Sequence, residues 1–256
     1  MRLLELHAVT KTYRSGNYIF GKNKSIEAVK QVSFSLDKGM CLGLVGRSGS
    51  GKSTLGKMIL GLEMPDEGEI LFEGKKLWAR RGSERRDIRR NLQVVFQDCY
   101  SAVNPRLTIG KIVSEPIRNH ERLSTEAERR RVEELLEKVG LRGEDMIKYP
   151  HQLSGGQLQR VTIARAIALQ PKLIVLDEAV SSLDVIVQAQ ILDLFADLKR
   201  EFGLSYLFIT HDLQAAAYLC DRLAVMDSGQ IVEEVDVVQL QHAKHPVTRK
   251  LLSSML

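Results

Sequence analysis

The sequence predicts an α/β fold: a mainly parallel central sheet, an antiparallel β-subdomain at the amino terminus and an inserted helical subdomain. Three observations predict it. Short apolar runs at residues 40–45 (MCLGLV), 173–176 (LIVL) and 206–210 (YLFIT) read as buried strands separated by helical patterns. Residues 3–9 and 32–36 alternate loosely, as half-buried antiparallel strands do. Residues 98–151 are polar and proline-containing at first, then clearly helical, and so form a mostly helical insertion.

Taken in order, Val32, Phe34 and Leu36 continue the early alternation, and Asp37-Lys38-Gly39 turns the chain into the run at Met40. Gly46-Arg47-Ser48-Gly49-Ser50-Gly51-Lys52-Ser53-Thr54 follows that run, and Leu55, Met58, Ile59 and Leu62 then recur at helical spacing. Strand, glycine loop, helix is the context a phosphate-binding loop requires. Glycines let successive N–H groups turn inward on anionic oxygens, and the helix adds the positive end of its dipole. Lys52 then reaches the β- and γ-phosphates, and the Ser53 hydroxyl is placed for Mg²⁺. By average composition the four required positions arise by chance in about one chain in a hundred of this length. Tyr13, between the first two strands, either stacks on adenine or simply packs.

Residues 68–74 read as a further edge strand between turns, and residues 91–97 (NLQVVFQ) as a β-branched strand ending in Gln97. Thr125 and Glu128 form a candidate capping box, with Val132, Leu135, Leu136 and Val139 on one face and Gly140 at the end. Ser154 is a natural N-cap for the helix after Leu153-Ser154-Gly155-Gly156-Gln157. Its two glycines leave N–H groups open to an anion, or the segment is merely a capped helix whose Leu158, Val161 and Ala164 face a core. The run at 173–176 ends in Asp177-Glu178, two carboxylates where open α/β sheets bind ligands. Asp177 suits the magnesium shell and Glu178 the orientation of an attacking water. Ser181-Ser182-Leu183-Asp184 leads into a helix with Ile191, Leu194 and Leu198, and the strand at 206–210 delivers His211 toward a γ-phosphate. Residues 222–233 read as a terminal hairpin turning at Asp227-Ser228-Gly229.

Composition bounds the function. The chain has 256 residues, 44% hydrophobic and 27% charged, enough for one large domain with a substantial core. No uncharged apolar run approaches a membrane span and no secretory segment opens the chain, so a cytosolic protein is expected, with membrane association only through a partner. The net charge of +5 is partly concentrated in Arg80, Arg81, Arg85, Arg86, Arg89 and Arg90, which read as a solvated helical face rather than a nucleic-acid or lipid patch. Cys41, Cys99 and Cys220 are far apart in sequence, and Cys41 reads as a small buried hydrophobe. His242 and His245 lack further ligands at a metal-site spacing and read as exposed helix or turn residues.

GRSGSGKST, VVFQ, LSGGQ, LIVLDE, SSLD and ITHD, in that order, resemble the ATP-binding cassette family over nearly the whole chain. The resemblance implies an ATP-driven, head-to-tail dimer in which the phosphate loop of one subunit and the LSGGQ segment of its partner enclose each ATP. Carried onto this sequence, it implies that Tyr13 stacks on adenine and that Gly46, Arg47, Ser48, Gly49, Ser50, Gly51, Lys52, Ser53 and Thr54 hold the phosphates. Ser53, Gln97 and Asp177 then serve Mg²⁺, Glu178 positions water, and His211 grips the γ-phosphate. Ser154, Gly155, Gly156 and Gln157 close the opposite site, and Asp184 couples the two sites. It also implies a core with β-subdomain at residues 1–97 and 166–256, with the helical subdomain at about 98–165.

DCYSAVNPR at residues 98–106, Glu115-Pro116, and His245-Pro246 with Thr248 are similar to the nickel, dipeptide and oligopeptide importer ATPases. Asp177-Glu178-Ala179-Val180-Ser181, without the usual proline, looks most like the second ATPase subunit of nickel importers. The partners implied are a non-identical ATPase subunit, two integral-membrane permease subunits and an extracytoplasmic binding protein, with the chain peripheral on the cytoplasmic face of the inner membrane. The sequence ends at Leu256 without a cysteine-bearing extension, so no iron–sulfur cluster is expected. A polar loop at residues 15–25 is a departure next to the adenine contact. Two other classes compete: a soluble cassette ATPase acting on ribosomes or DNA, and a small-molecule P-loop kinase. The first calls for paired cassettes or long coiled coils, and the second leaves LSGGQ and His211 unexplained.

Overall fold

Two fourteen-residue strands, β1 (Arg2–Ser15) and β2 (Lys24–Asp37), pair antiparallel, with Arg2 opposite Asp37 and Ser15 opposite Lys24. The computed structural model describes residues 1–15, 24–78 and 83–253. The loop expected at residues 15–25 therefore falls largely outside the described residues, and its ends, Ser15 and Ser25, belong to the strands. Tyr13 lies on β1 opposite Ile26, rather than between strands. β3 (Cys41–Val45) is buried at every position and leads to α1 (Lys52–Ile59). β4 (Glu67–Phe72) is not the edge strand the sequence suggests. It pairs with β1 on one side and with the two-residue β5 (Lys75–Lys76) on the other, giving the order β2-β1-β4-β5. Two lysines thus occupy the edge, where charge discourages further pairing.

α2 (Ser83–Asn91) carries Arg85, Arg86, Arg89 and Arg90, all exposed, so the described part of the basic cluster is a solvated helix; Arg80 and Arg81 lie outside the described residues. β6 (Leu92–Phe96) precedes α3 (Ile109–His120), α4 (Thr125–Lys138) and α5 (Gly155–Ile167). The sequence reading gives no helix at α3. Yet Ile109, Ile112, Val113 and Ile117 recur at helical spacing and are buried, and Pro116 is accommodated within the helix. The N-cap of α4 is Ser124, whose hydroxyl accepts from the Ala127 N–H at 3.2 Å, not Thr125. Glu128 makes no capping box; it takes a two-pronged contact from Arg118 on α3, with Nε 2.8 Å from Oε2 and Nη2 2.5 Å from Oε1. Then come β7 (Leu173–Asp177), α6 (Val185–Phe202), β8 (Ser205–Thr210) and α7 (Leu213–Leu219). β9 (Arg222–Asp227), β10 (Gln230–Asp236) and α8 (Pro246–Ser253) end the chain. The β9–β10 turn places both Ser228 and Gly229 at positive φ, 48° and 89°, as a two-residue hairpin of this twist requires.

These elements form two compact units, Met1–Ile88 with Ser205–Leu256, and Arg89–Leu204. In the first, β3 pairs parallel with β8 and with β9, and β10 pairs antiparallel with β9. Its core includes Leu42, Leu44, Leu55, Met58, Ile59 and Phe208, each at most 2% exposed. Each contributes about 1.5–3 kcal/mol on burial. Cys41 and Cys220, far apart in sequence, are both buried here with their sulfurs 3.3 Å apart. In the second unit β6 and β7 pair in parallel, and α3 and α4 pack against α5. His242 is exposed at the end of a 3₁₀ turn and His245 is half-buried, its Nδ1 accepting from the Val247 N–H at 3.3 Å.

Candidate functional site

The glycine loop sits between β3 and α1, and backbone crowding explains two of its three glycines. Gly51 has φ +108°, and a Cβ there would lie 2.2 Å from the Ala28 carbonyl oxygen. A Cβ on Gly46 would lie 2.1 Å from the Met226 carbonyl oxygen. The hairpin turn holds the loop from outside: the Gly229 N–H donates to the Ser50 carbonyl at 3.0 Å, and Lys30 N–H donates to the Gly229 carbonyl at 2.8 Å. Lys52 is 4% exposed, and its ammonium donates to the carbonyls of Gly46 (2.7 Å) and Arg47 (2.9 Å). A positive charge is thereby held across a loop whose Arg47, Ser48 and Gly49 are exposed, as is Ser53 in the first turn of α1. A lysine held inside a glycine loop at the start of a helix has the charge and the backbone chemistry that suit an anion.

Tyr13 shares that unit. Its hydroxyl donates to Glu63 at 2.7 Å, and Lys11, anchored on Asp66 at 2.9 Å, lies 5.9 Å from the ring centroid. Desolvation and the Glu63 carboxylate raise the phenol above its ordinary range, with the Thr54 hydroxyl opposing, so the ring stays neutral. Partial exposure, 39%, leaves part of the residue open to solvent. His211, exposed, follows β8 directly. Its neighbour Asp212 caps α7, accepting from Gln214 N–H at 2.9 Å and Ala215 N–H at 3.1 Å, which fixes the turn that presents the imidazole.

The second unit carries the acidic groups. Phe96 of β6 stands opposite Asp177 of β7, so Gln97 and Glu178 occupy the next step beyond the same strand ends. Asp177 and Glu178 are half-buried and Gln97 is exposed. Glu178 adopts φ +49°, a left-handed conformation unusual for a side-chain-bearing residue and typical of functional turns. The turn is closed by Ser181, whose N–H and hydroxyl donate to the Glu178 carbonyl at 3.1 Å and 3.0 Å. The same hydroxyl lies 3.4 Å from Glu178 Oε2. Ser182 donates to the Gln97 carbonyl at 3.3 Å, tying the two strand-end loops together. The sequence pattern includes both serines but assigns them no role.

Ser154 and Gln157 form a reciprocal capping box on α5: the Ser154 hydroxyl accepts from Gln157 N–H at 3.3 Å, and Gln157 Oε1 accepts from Ser154 N–H at 3.0 Å. Gly156 is required by its own chain, since a Cβ would meet Val187 Cγ1 at 2.7 Å; at Gly155 a Cβ would meet nothing within 4 Å. Asp184 caps α6 through the Val187 N–H at 3.0 Å.

The ABC transporter family model matches residues 29–181. The chain is similar to the nickel import ATP-binding protein NikE of Rhodospirillum rubrum, with 46% identity over 99% of this chain and 91% of that protein. It is also similar to the oligopeptide transport ATP-binding protein AppF of Bacillus subtilis, with 43% identity over 99% of this chain and 78% of that one. Among solved structures, the dimeric structure of a post-hydrolysis state of the ATP-binding cassette MJ0796 bound to ADP and Pi matches with a TM-score of 0.81 and 33% identity, covering 92% of this chain and 99% of that one.

Proposed function

The chain belongs to the ABC transporter family and is an ATPase, and from that premise we propose that it energises an importer of nickel ions or a nickel chelate. Its 46% identity to NikE along nearly the full length of both proteins supports the cargo. The working assembly is a head-to-tail pair with a second, non-identical ATPase subunit, docked on two permease subunits served by an extracytoplasmic binding protein. The chain is then peripheral on the cytoplasmic face of the inner membrane; among the described residues no helix is long and apolar enough to cross it. The signature turn belongs to the helical subdomain at about residues 98–165.

Residues 46–54 hold the ATP phosphates, with the Lys52 ammonium neutralising charge on the β- and γ-oxygens. Ser53, Gln97 and Asp177 offer hydroxyl, carboxamide and carboxylate oxygens, the hard donor set that suits Mg²⁺. Bound there, the ion supplies positive charge where phosphoryl transfer concentrates negative charge. Glu178 accepts a hydrogen bond from the attacking water and aims it in line with the scissile bond. His211 donates to the γ-phosphate, Tyr13 stacks on adenine, Ser154, Gly155, Gly156 and Gln157 close the partner's nucleotide, and Asp184 couples the two sites.

The observation that carries the hydrolytic part of this reading is the β6–β7 register, which brings Gln97, Asp177 and Glu178 to one strand end. Glu178→Gln should bind ATP normally and lose about a hundredfold or more in turnover; unchanged turnover removes the assignment. A second cargo, oligopeptides, is favoured by the 43% identity to AppF. Uptake of radioactive nickel and of labelled dipeptide in a deletion strain separates them. The nickel reading expects loss of nickel uptake, restored by the wild-type chain and not by Glu178→Gln. Loss of dipeptide uptake alone overturns it.

A further inference from the structure

Gln159 on α5 is 1% exposed, yet its carboxamide faces two backbone carbonyls rather than solvent. Its Nε2 donates to the Ala179 carbonyl at 2.8 Å and lies 3.5 Å from the Phe96 carbonyl. Ala179 directly follows Glu178, and Phe96 directly precedes Gln97. Two carbonyl acceptors fix which end of the amide faces them. The other end, Oε1, is buried without a hydrogen-bond partner among the described residues.

That arrangement is unfavourable as core filling. A leucine or methionine at this position, beside the buried Leu158, Thr162 and Ile163, would leave no polar atom unsatisfied on its own side chain. What the amide adds is one donor aimed at the two strand-end turns. One of those turns holds Glu178 in a left-handed backbone conformation that needs restraint from its surroundings.

We propose that Gln159 is a positioning residue for ATP hydrolysis. Through the carbonyls of Ala179 and Phe96 it holds the turns that carry Glu178 and Gln97 in hydrolytic register. It also ties them to the helix whose first turn is the Ser154–Gln157 capping box, so that engagement of that turn is felt at the carboxylate. The inference rests on the role of Glu178 proposed above.

Gln159→Met keeps length and burial and removes the donor. In the full-length protein it should leave the affinity for a fluorescent ATP analogue and the thermal midpoint close to wild type, while kcat falls about tenfold or more. In a Glu178→Gln background the same change should alter the single-turnover rate by less than about twofold, because the larger part of the loss passes through Glu178, to whose turn the shorter of the two bonds runs. If Gln159→Met does not fold, Gln159→Leu serves the same comparison. Wild-type kcat in the folded variant overturns the proposal, as does an equal loss in the Glu178→Gln background. Wild-type turnover by Glu178→Gln alone instead overturns the reading on which this inference rests.

Discussion

At the scale of single residues, the glycine loop separates two requirements that a sequence motif merges. Gly49 has φ +78° and open space, with no atom within 4 Å of where a Cβ would lie. Gly51 combines φ +108° with a Cβ position 2.2 Å from the Ala28 carbonyl oxygen. The first is a torsional demand alone; the second adds a collision with backbone that cannot rotate away. Gly49→Ala should therefore cost about 1–2 kcal/mol of stability in denaturant unfolding. Gly51→Ala should cost about 3 kcal/mol or more, because left-handed strain and displacement of β2 add. Equal losses would mean that the Ala28 contact does not constrain the loop. The motif is legible in sequence because it depends on local chain. The supports of Tyr13 are not: Glu63 and Asp66 lie about fifty positions downstream, and no periodicity links them to β1.

At the scale of elements, α5 organises the second unit through its polar side chains. Arg160 donates to the Val139 carbonyl at 2.6 Å at the end of α4, and Arg165 to the Ala102 carbonyl at 2.7 Å in the segment after β6. Burial lowers the Arg165 guanidinium, and Glu115 of α3 opposes that shift. The α3–α4 contact is electrostatic at its rim. The bond from Arg118 holds the Glu128 carboxyl below its ordinary range, outweighing desolvation. A depressed carboxyl contributes stability that is complete above its unfolded value and is lost as pH falls through the folded one. Acidification below about pH 4 should thus weaken the α3–α4 pair, and Glu128→Gln should flatten that part of the pH–stability curve. An unchanged acid limb in the variant would show that the pair contributes nothing in solution. The first half of β1, the last part of β2, the P-loop helix, and the helices α4, α5 and α6 are readable from periodicity and caps, whereas the strand continuation through Tyr13 is not. α3 is hidden by Pro116 even though its apolar spacing is helical, and the cap of α4 falls one residue from its expected place because two adjacent hydroxyls compete. β4 resembles an edge strand in sequence because pairing partners are set by tertiary contact, which alternation does not encode.

At the scale of the whole molecule, one residue that the sequence singles out, Gly155, has no full explanation among the described residues of one chain. The Ser154–Gln157 box accounts for the serine and glutamine, and Val187 accounts for Gly156, but among the described residues nothing approaches Gly155 closely enough to forbid a side chain. Val185 and Ile186, at the start of α6, are 82% and 73% exposed beside the Asp184 cap. Apolar residues left open at the start of a helix whose Val187 packs on Gly156 fit a surface completed by another molecule, and the proposed head-to-tail pairing supplies one. The pairing has a direct test. Ser50 is poorly suited as a crosslinking position because it is only 5% exposed, whereas Ser48 and Ser154 are both exposed. With Ser48→Cys in this chain and a cysteine in the signature turn of the second ATPase subunit, or Ser154→Cys with a cysteine in that subunit's phosphate-binding loop, on a Glu178→Gln background that retains nucleotide, a short bismaleimide should join the two chains when ATP is present. It should fail to do so without nucleotide, because the phosphates supply the attraction that brings the two surfaces together. Crosslinking that is equal with and without ATP would mean that the surfaces meet independently of nucleotide. None in either case, with the permease and second ATPase subunit present, would mean that the exposed turn serves some other contact.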